Sequence, residues 1–247
     1  MKKLSFSLLF VSILFSSCSK QLYQVQKANF TENTSINSNL KEDQKMNTMI
    51  APYKLELEQT MDKVISYTPI DLPKDGFNSA LANLSCDMVL EESNLIFEQK
   101  HGEEIDLCVL NWGGIRRSFT KGDLTVKNVY ELMPFDNEVV VATVSGEKIK
   151  EMFQFMSNAS LGHPLSGIQF ISNDENSILI NGEKLDLNKN YTVVTNDFLL
   201  KGGDQMNFFI DPISVENLNI KQRDIMMQYF EKYDTVQVNL DKRILDK

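Results

Sequence analysis

The sequence predicts an α/β (α+β) fold in which helices flank mixed sheets. Stretches with helical periodicity are interspersed with short β-branched runs, and the two kinds do not alternate regularly. Asn181-Gly182 supplies a tight hairpin turn between two of the short runs. We assign residues 48–247, roughly 200 residues, to one sizeable domain.

Apolar residues spaced three and four apart predict four helices, and the capping residue Thr125 predicts a fifth, short helix that ends at Met133. The first helix has apolar residues at Ile50, Tyr53, Leu57, Met61 and Val64, and it tolerates Pro52 in its first turn. The second has Leu81, Leu84 and Met88. The third follows Ser145 and has Ile149, Met152, Phe153 and Met156, and the last has Ile225, Tyr229 and Phe230. We expect the aromatic and methionine positions after Ser145 to belong to the core.

Short apolar and β-branched runs predict the strands. Residues 105–110 form an apolar run that ends at Asn111, so we expect a buried strand that leads into a Gly-Gly turn. The other predicted strands are residues 138–144, 168–171, 178–180, 191–195 and 236–238. The pattern does not give their order in the sheets.

The first 18 residues predict an export signal. Two lysines precede an apolar stretch, residues 4–15, which is shorter than the roughly 20 residues that cross a bilayer. Ser16-Ser17-Cys18 resembles the lipobox of bacterial lipoproteins, although Phe15 departs from the usual small aliphatic residue; an ordinary cleaved signal is the alternative. We expect a lipidated Cys18, a polar tether over residues 19–47, and an exported bacterial lipoprotein at the outer membrane, facing the periplasm or the surface.

The charge of the chain limits its partners. Its formal net charge is −9, and removal of residues 1–17 with their two lysines leaves 23 basic against 34 acidic residues, a net charge of −11. Nucleic-acid polymers are bound through many cations, so we exclude them as partners. A mononucleotide needs only one local cation and is not excluded.

Cysteine and histidine usage argues against a metal centre. Cys86 lies in a helical pattern and Cys108 in an apolar strand, which favours two buried free thiols over the disulfide that an exported compartment permits. His101 and His163 are expected at the surface, and no zinc-type spacing occurs. The sequence also lacks Asp-x-His, Gly-Asn-His and Gly-His-x-His motifs and any Ser-His-Asp order. We therefore expect no catalytic residue and no bound cofactor in this chain.

Two glycine doublets stand beside polar and aromatic residues. Residues 111–116 read Asn-Trp-Gly-Gly-Ile-Arg, residues 196–204 read Asn-Asp-Phe-Leu-Leu-Lys-Gly-Gly-Asp, and Pro134-Phe135-Asp136-Asn137 lies between them. Glycine lets the backbone approach a ligand closely. Aromatic rings can hold a base, an acid can bind sugar hydroxyls and a cation can bind phosphate, so these stretches predict a nucleotide site.

Together with Leu81-Ala82-Asn83-Leu84 and Asp87, these stretches resemble, in order, the motifs of the C-terminal, substrate-binding domain of 5′-nucleotidases. That family also includes periplasmic UDP-sugar hydrolases and cyclic phosphodiesterases, and the resemblance extends from about residue 50 to residue 243. It implies that the base stacks between two phenylalanine rings, that an aspartate binds both ribose hydroxyls and that an arginine meets the phosphate or ribose. The residues it assigns to substrate binding are Asn111, Gly113, Gly114, Arg116, Phe135, Asn137, Phe198, Gly203 and Asp204.

Each of these assignments has a structural alternative. Phe135 and Phe198 could be core residues, Asp204 a turn aspartate, and Asn111 and Asn137 turn-forming asparagines; Arg117 is expected to be a solvated neighbour. Three positions depart from the family pattern: Phe77 stands where members often have a phosphate-binding arginine, with Lys74 as the nearest cation, Trp112 replaces a small residue, and Gln205 replaces a glycine. Base stacking is therefore better supported than phosphate binding.

The resemblance also implies how the protein works. Two-domain nucleotidases carry a dimetal metallophosphatase domain, so this chain would recognise the nucleotide while a separate metallophosphatase polypeptide supplies divalent metals and hydrolyses it in nucleotide catabolism. The chain alone would then be inactive. A non-catalytic lipoprotein that binds nucleosides or nucleotides for salvage is one alternative, and a degenerate domain retained as a scaffold is another.

Overall fold

The computed structural model describes residues 27–33, 35–38 and 40–246. The predicted signal with Cys18, and the beginning of the predicted tether, lie outside the described residues. The chain forms two units, one up to Thr48 and one from Met49 to Lys247. The described residues of the first unit are all exposed. None of the helices in the described residues has the length and apolar character that crossing a membrane requires.

The described residues form six α-helices: α1 Gln44–Met61, α2 Ala80–His101, α3 Val126–Leu132, α4 Gly146–Asn158, α5 Asp197–Leu200 and α6 Gln222–Lys232. The five predicted helices are confirmed, and α5 was not predicted. Side-chain caps define several of their starts: Ser79 accepts from the N–H of Ala82, and Thr125 forms a capping box with Asn128.

Eleven strands are present in the described residues: β1 Val64–Thr68, β2 Leu107–Val109, β3 Gly122–Thr125, β4 Glu138–Ser145, β5 Leu165–Ser166, β6 Ile168–Ile171, β7 Leu179–Ile180, β8 Glu183–Lys184, β9 Asn190–Asn196, β10 Ser214–Lys221 and β11 Ile244–Leu245. The central sheet has the order β10-β4-β9-β2-β5, in which only β9 and β2 are parallel. Strands β1 and β3 pair antiparallel, and a small sheet has the order β11-β6-β7-β8. The mixed α/β class is confirmed.

Two predicted elements differ in the structure. Val64 starts strand β1 instead of ending the first helix, and residues 236–238 form no strand. Val236 is buried, and its N–H donates to the carbonyl of Tyr67 without continuing as a ladder. The hairpin at Asn181-Gly182 is confirmed, and both residues have positive φ values of 50° and 83°.

The central sheet lies between two apolar layers, because alternate residues of its strands point to opposite faces. Cys108, Val141 and Val194 pack with helices α2 and α6, whereas the neighbouring residues Leu107, Ala142 and Val193 pack with α4 and the small sheet. Cys86 and Cys108 are both buried free thiols, as predicted. Burial, and secondarily the neighbouring Cys86 thiol, raises the pKa of Cys108 well above its usual range.

The strand order brings three connecting segments to one edge of the central sheet. The parallel strands β2 and β9 both end there, followed by the segment from Asn111 and by helix α5. The antiparallel strand β4 begins at the same edge, where its Val139 pairs with Asn196, so the segment before it also lies there. These three segments carry the residues predicted to bind the ligand.

Candidate functional site

A cavity of about 290 Å³ opens at this edge of the sheet. Its volume is near the lower end for small-molecule sites, roughly 300–1,000 Å³. It is lined by Asn111, Gly113, Gly114, Arg116, Met133, Phe135, Asn137, Asn196, Phe198 and Asp204. The structure therefore brings together all the residues predicted to bind the ligand except Gly203, which lies behind the ring of Phe198. Met133 and Asn196 were not predicted.

The two phenylalanines of the cavity are not core residues. Phe135 is 41% exposed and Phe198 is 44% exposed, whereas Phe153, Phe170, Phe209 and Phe230 are almost fully buried. Phe135 follows the end of α3, and Phe198 lies in the single turn of α5. Exposed rings on one cavity offer apolar faces to a flat ligand.

The absence of a side chain at Gly203 leaves space for the ring of Phe198. A Cβ atom at position 203 would lie 2.4 Å from Cε1 and 2.6 Å from Cδ1 of Phe198. Ordinary carbon contacts are about 3.5–4.0 Å, so only glycine accommodates the ring in this position. The predicted residue Gly203 thus acts from behind the ring instead of lining the cavity.

The first Gly-Gly pair and Asp204 form the polar side of the cavity. Nδ2 of Asn111 donates to Oδ2 of Asp204 at 2.6 Å, which connects the segment after β2 with the second Gly-Gly turn. A Cβ atom at Gly113 would lie 3.2 Å from that oxygen, and one at Gly114 would lie 2.9 Å from Oδ1 of Asn111. The two glycines therefore allow the backbone to pass close to the Asn111–Asp204 pair.

Asp204 and Gln205 have left-handed backbone conformations, with φ values of 51° and 64°. Aspartate adopts this region more readily than most residues, but glutamine does so at a cost. Gln205, which stands where the family pattern has glycine, therefore keeps the left-handed backbone conformation of the turn but adds backbone strain.

Two asparagines hold the segment that carries Phe198. Asn196 caps α5 by accepting from the N–H of Leu199 at 3.0 Å, and Asn137 donates from Nδ2 to Oδ1 of Asp197 at 3.3 Å. Burial tends to raise the pKa of Asp197, but hydrogen bonds from Lys201 and Asn137 outweigh it, so the pKa is lowered. The carboxylate of Asp197 is thus ionised and fixed beside the cavity.

Two cations lie at one end of the site. Nη1 of Arg116 donates to the carbonyl of Gly113 at 3.3 Å, and Nζ of Lys74 lies 4.7 Å from the ring centroid of Trp112. Neither cation has an ion-pair partner within residues 27–33, 35–38 and 40–246, whereas Arg117 pairs with Glu131 at the surface. Partial burial, and then the charge of Arg116, lowers the pKa of Lys74.

The histidines differ from each other in their surroundings. His101 is exposed, as predicted, and pairs with Glu216. His163 was expected at the surface but is half-buried, because its ring lies against Phe155 and its Nδ1 accepts the N–H of Trp112 at 3.3 Å. Burial lowers the pKa of His163, although the charge of Asp204 opposes this. In the part of the chain that the structure describes, no three His, Cys, Asp or Glu side chains are grouped to hold a metal ion.

The first of the family motifs, residues 81–87, does not line the cavity, and its side chains have structural contacts. Leu81 and Leu84 are core residues, and Asp87 binds the buried Arg243 through two hydrogen bonds of 2.7 and 2.8 Å. Oδ1 of Asp87 also accepts from Ser166 at 2.6 Å. The motif therefore joins α2 to the C-terminal segment and to β5.

Comparisons with known proteins agree with this geometry. The family described as "5′-nucleotidase, C-terminal domain" matches residues 70–211. The trifunctional nucleotide phosphoesterase protein YfkN of Bacillus subtilis is 27% identical over 237 residues, which cover 86% of this chain and 16% of that protein. The protein UshA of Escherichia coli is 29% identical over 144 residues, 55% of this chain and 26% of that protein.

Among solved structures, the 5′-nucleotidase precursor from Thermus thermophilus superimposes with a TM-score of 0.65 at 25% identity, over 83% of this chain and 44% of that one. This chain spans less than half the length of each of these three proteins.

Proposed function

The chain belongs to the family of 5′-nucleotidase C-terminal domains, and on this premise we propose that it binds a nucleotide with the base between Phe135 and Phe198. The observation that carries the proposal is that two half-exposed rings line one cavity together with Asp204 and Arg116. Stacking on aromatic side chains contributes about 1–3 kcal/mol per base and tolerates different bases. The carboxylate of Asp204 is a suitable acceptor for the ribose hydroxyls.

The cations at the Gly113 end support a phosphorylated ligand over a bare nucleoside. Partial burial, and secondarily repulsion by Arg116, lowers the pKa of Lys74, and an anion placed between the two cations would relieve this repulsion. A phosphate would bind both charges, and the planar guanidinium can bind two of its oxygens. Lys74 would then take the role of the arginine that Phe77 replaces.

Hydrolysis is proposed to occur in trans. The relatives YfkN and UshA are longer than this chain, and we propose that a separately encoded metallophosphatase supplies the divalent metals and the reacting groups. The bound nucleotide would present its phosphate to that partner, in the manner of a nucleotidase split between two polypeptides. We further propose that Cys18 is lipidated and holds both proteins at the outer membrane, where nucleotides are broken down; labelling with a fatty acid should depend on Cys18.

Calorimetry with adenosine, AMP and UDP-glucose tests the binding site. Phe135→Ala and Phe198→Ala should each weaken binding roughly 5- to 150-fold, the equivalent of the stacking energy of one ring. Phe30→Ala is a matched control, because Phe30 is 94% exposed and is not among the residues that line the cavity. Wild-type affinity in both cavity variants would exclude stacking between these rings.

Phosphate release tests the partner. A metallophosphatase that lacks its own binding domain should release phosphate from AMP faster when the wild-type chain is added, and the Phe198→Ala chain should give a smaller increase. Tight binding of AMP, without any complex or increase in rate, would instead favour the non-catalytic binding lipoprotein. If no ligand binds, the scaffold alternative remains.

A further inference from the structure

We infer that Gln222 and Arg223, the first two residues of α6, are positioning residues that fix the gap between the rings of Phe135 and Phe198. The inference rests on the proposed nucleotide site. It concerns residues that do not line the cavity and that lie outside the match to the family, residues 70–211.

Arg223 holds the segment that carries Phe135. Its Nη1 donates to the carbonyls of Met133 and Phe135 at 3.4 and 3.3 Å, and its Nη2 donates to Oδ1 of Asp136 at 2.5 Å. Its guanidinium carbon lies 4.4 Å from the ring centroid of Tyr130, and the side chain is 9% exposed. One planar cation thus contacts residues 133, 135 and 136.

The carboxylate of Asp136 completes this arrangement from the solvent side. Lys221 lies 3.2 Å from its Oδ2, so Asp136 is bound by two cations from the start of α6. The hydrogen bond from Arg223, followed by that from Lys221, lowers the pKa of Asp136. The segment beside Phe135 therefore stays attached to α6 wherever this carboxylate is ionised.

Gln222 holds the segment that carries Phe198. Its N–H donates to the carbonyl of Asn137 at 2.9 Å, and its Oε1 accepts from Nδ2 of Asn196 at 2.9 Å. Asn196 in turn caps the helix of Phe198. The two adjacent residues of α6 therefore reach both aromatic segments, which are more than 60 residues apart in the chain.

Stability alone does not explain these contacts. Nε of Arg223 and Nε2 of Gln222 are buried without a hydrogen-bond partner in the described residues, where Ser93 Oγ is the third such atom. A buried donor without a partner costs stability, and an apolar side chain would avoid that cost. The long polar side chains instead provide directional contacts to both aromatic segments, which is what a fixed ring gap requires.

A double-mutant cycle on the full-length chain in detergent tests the inference, with AMP as the probe and calorimetry as the readout. Lysine cannot reproduce the fork of Arg223, so Arg223→Lys should weaken AMP binding roughly tenfold. In a Phe135→Ala background the same substitution should have almost no further effect, because the ring it positions is gone. Arg117→Lys is the matched control and should leave affinity unchanged.

Asp136→Asn provides a second variant, since the side chain of Asp136 is 67% exposed and its change should not prevent folding. It should weaken AMP binding in the same direction as Arg223→Lys, with the same dependence on Phe135. Wild-type affinity in both variants, or losses that add fully to that of Phe135→Ala, would overturn the positioning role. If the wild-type chain itself fails to bind AMP, the proposed function is wrong and this inference fails with it.

Discussion

Replacement of Gly203 by alanine should displace the ring of Phe198 while leaving every polar group of the cavity in place. The added Cβ atom would lie 2.4–2.6 Å from three ring carbons, so the ring must retreat by about 1 Å to reach ordinary contact distance. Gly203 does not have a positive φ, so alanine adds no backbone strain. The change therefore acts on ring position alone.

The expected loss follows from stacking. If the displaced ring no longer lies parallel to the base, about 1–3 kcal/mol of stacking is lost, which corresponds to roughly 5- to 150-fold in Kd. Calorimetric titration with AMP measures this, and Trp112, the only tryptophan of the chain, gives an independent fluorescence signal next to Gly113. Because Phe198 is 44% exposed, its ring has room to move, and thermal stability should change by less than about 1 kcal/mol.

Gly182→Ala is the control for this experiment. Gly182 has a φ of 83° and lies in the hairpin between β7 and β8, outside the cavity. Alanine there should cost about 1 kcal/mol of stability without any change in AMP affinity. If Gly203→Ala binds AMP as tightly as the wild type, Phe198 does not stack on the base, and the assignment of this ring is wrong.

Three further outcomes follow from the structure. Gln205→Gly should raise the free energy of unfolding by about 1 kcal/mol, measured by thermal melting, because it relieves a left-handed φ of 64°. Asp87→Asn should lower that free energy by about 2–3 kcal/mol in urea, because the buried Arg243 loses the nearer of its two carboxylate partners and keeps Asp241. Burial lowers the pKa of His163 from its usual 6.5, so the folded chain binds fewer protons than the unfolded one; stability should fall as the pH drops through 6.5 towards the folded pKa. His163→Asn should reduce this pH dependence in melts between about pH 5 and 7, and an unchanged dependence would contradict it.

The segments that carry the cavity could be predicted because their signals are local. A Gly-Gly pair next to Asn111 or Asp204, and a ring next to Pro134, stand within a few residues of each other, so the chemistry is visible without the fold. Strand β2, shortly before Asn111, was likewise predicted from a short apolar run. The structure adds that Met133 and Asn196 complete the lining.

The missed features depend on distant contacts. Strand β10, with the sequence SVENLNIK, is the outermost strand of the central sheet and pairs with β4. Much of it is exposed, so its sequence lacks a clear apolar alternation. Val236 resembles the start of a strand because Thr235 and Val238 beside it are β-branched, but its backbone hydrogen bond to Tyr67 belongs to no ladder. The half-buried position of His163 depends on Phe155 and Trp112, which are separated from it along the chain.

Helix α1 was predicted from its apolar spacing, but its apolar side chains are exposed in the structure. The spacing of Ile50, Tyr53 and Leu57 predicts an amphipathic helix, and α1 forms, yet these side chains are 49%, 73% and 55% exposed. Periodicity therefore identified the helix but not what its apolar face contacts, because amphipathicity specifies a face and not a partner.

The polar side of the cavity indicates the direction in which a nucleotide would lie. Gly113 lies near both charged groups: a Cβ atom at this position would lie 3.2 Å from Oδ2 of Asp204, and its carbonyl accepts a hydrogen bond from Arg116. Arg116 and Asp204 form no ion pair in the part of the chain described, and Asp204 accepts a hydrogen bond from the neutral amide of Asn111 through Oδ2. Each charge therefore remains available to a ligand. Because ribose hydroxyls and the 5′-phosphate lie on opposite sides of the sugar ring, a nucleoside monophosphate can bind Asp204 and Arg116 at once, whereas a nucleoside leaves Arg116 unpaired. AMP should for this reason bind more tightly than adenosine, and Arg116→Gln should remove most of that difference.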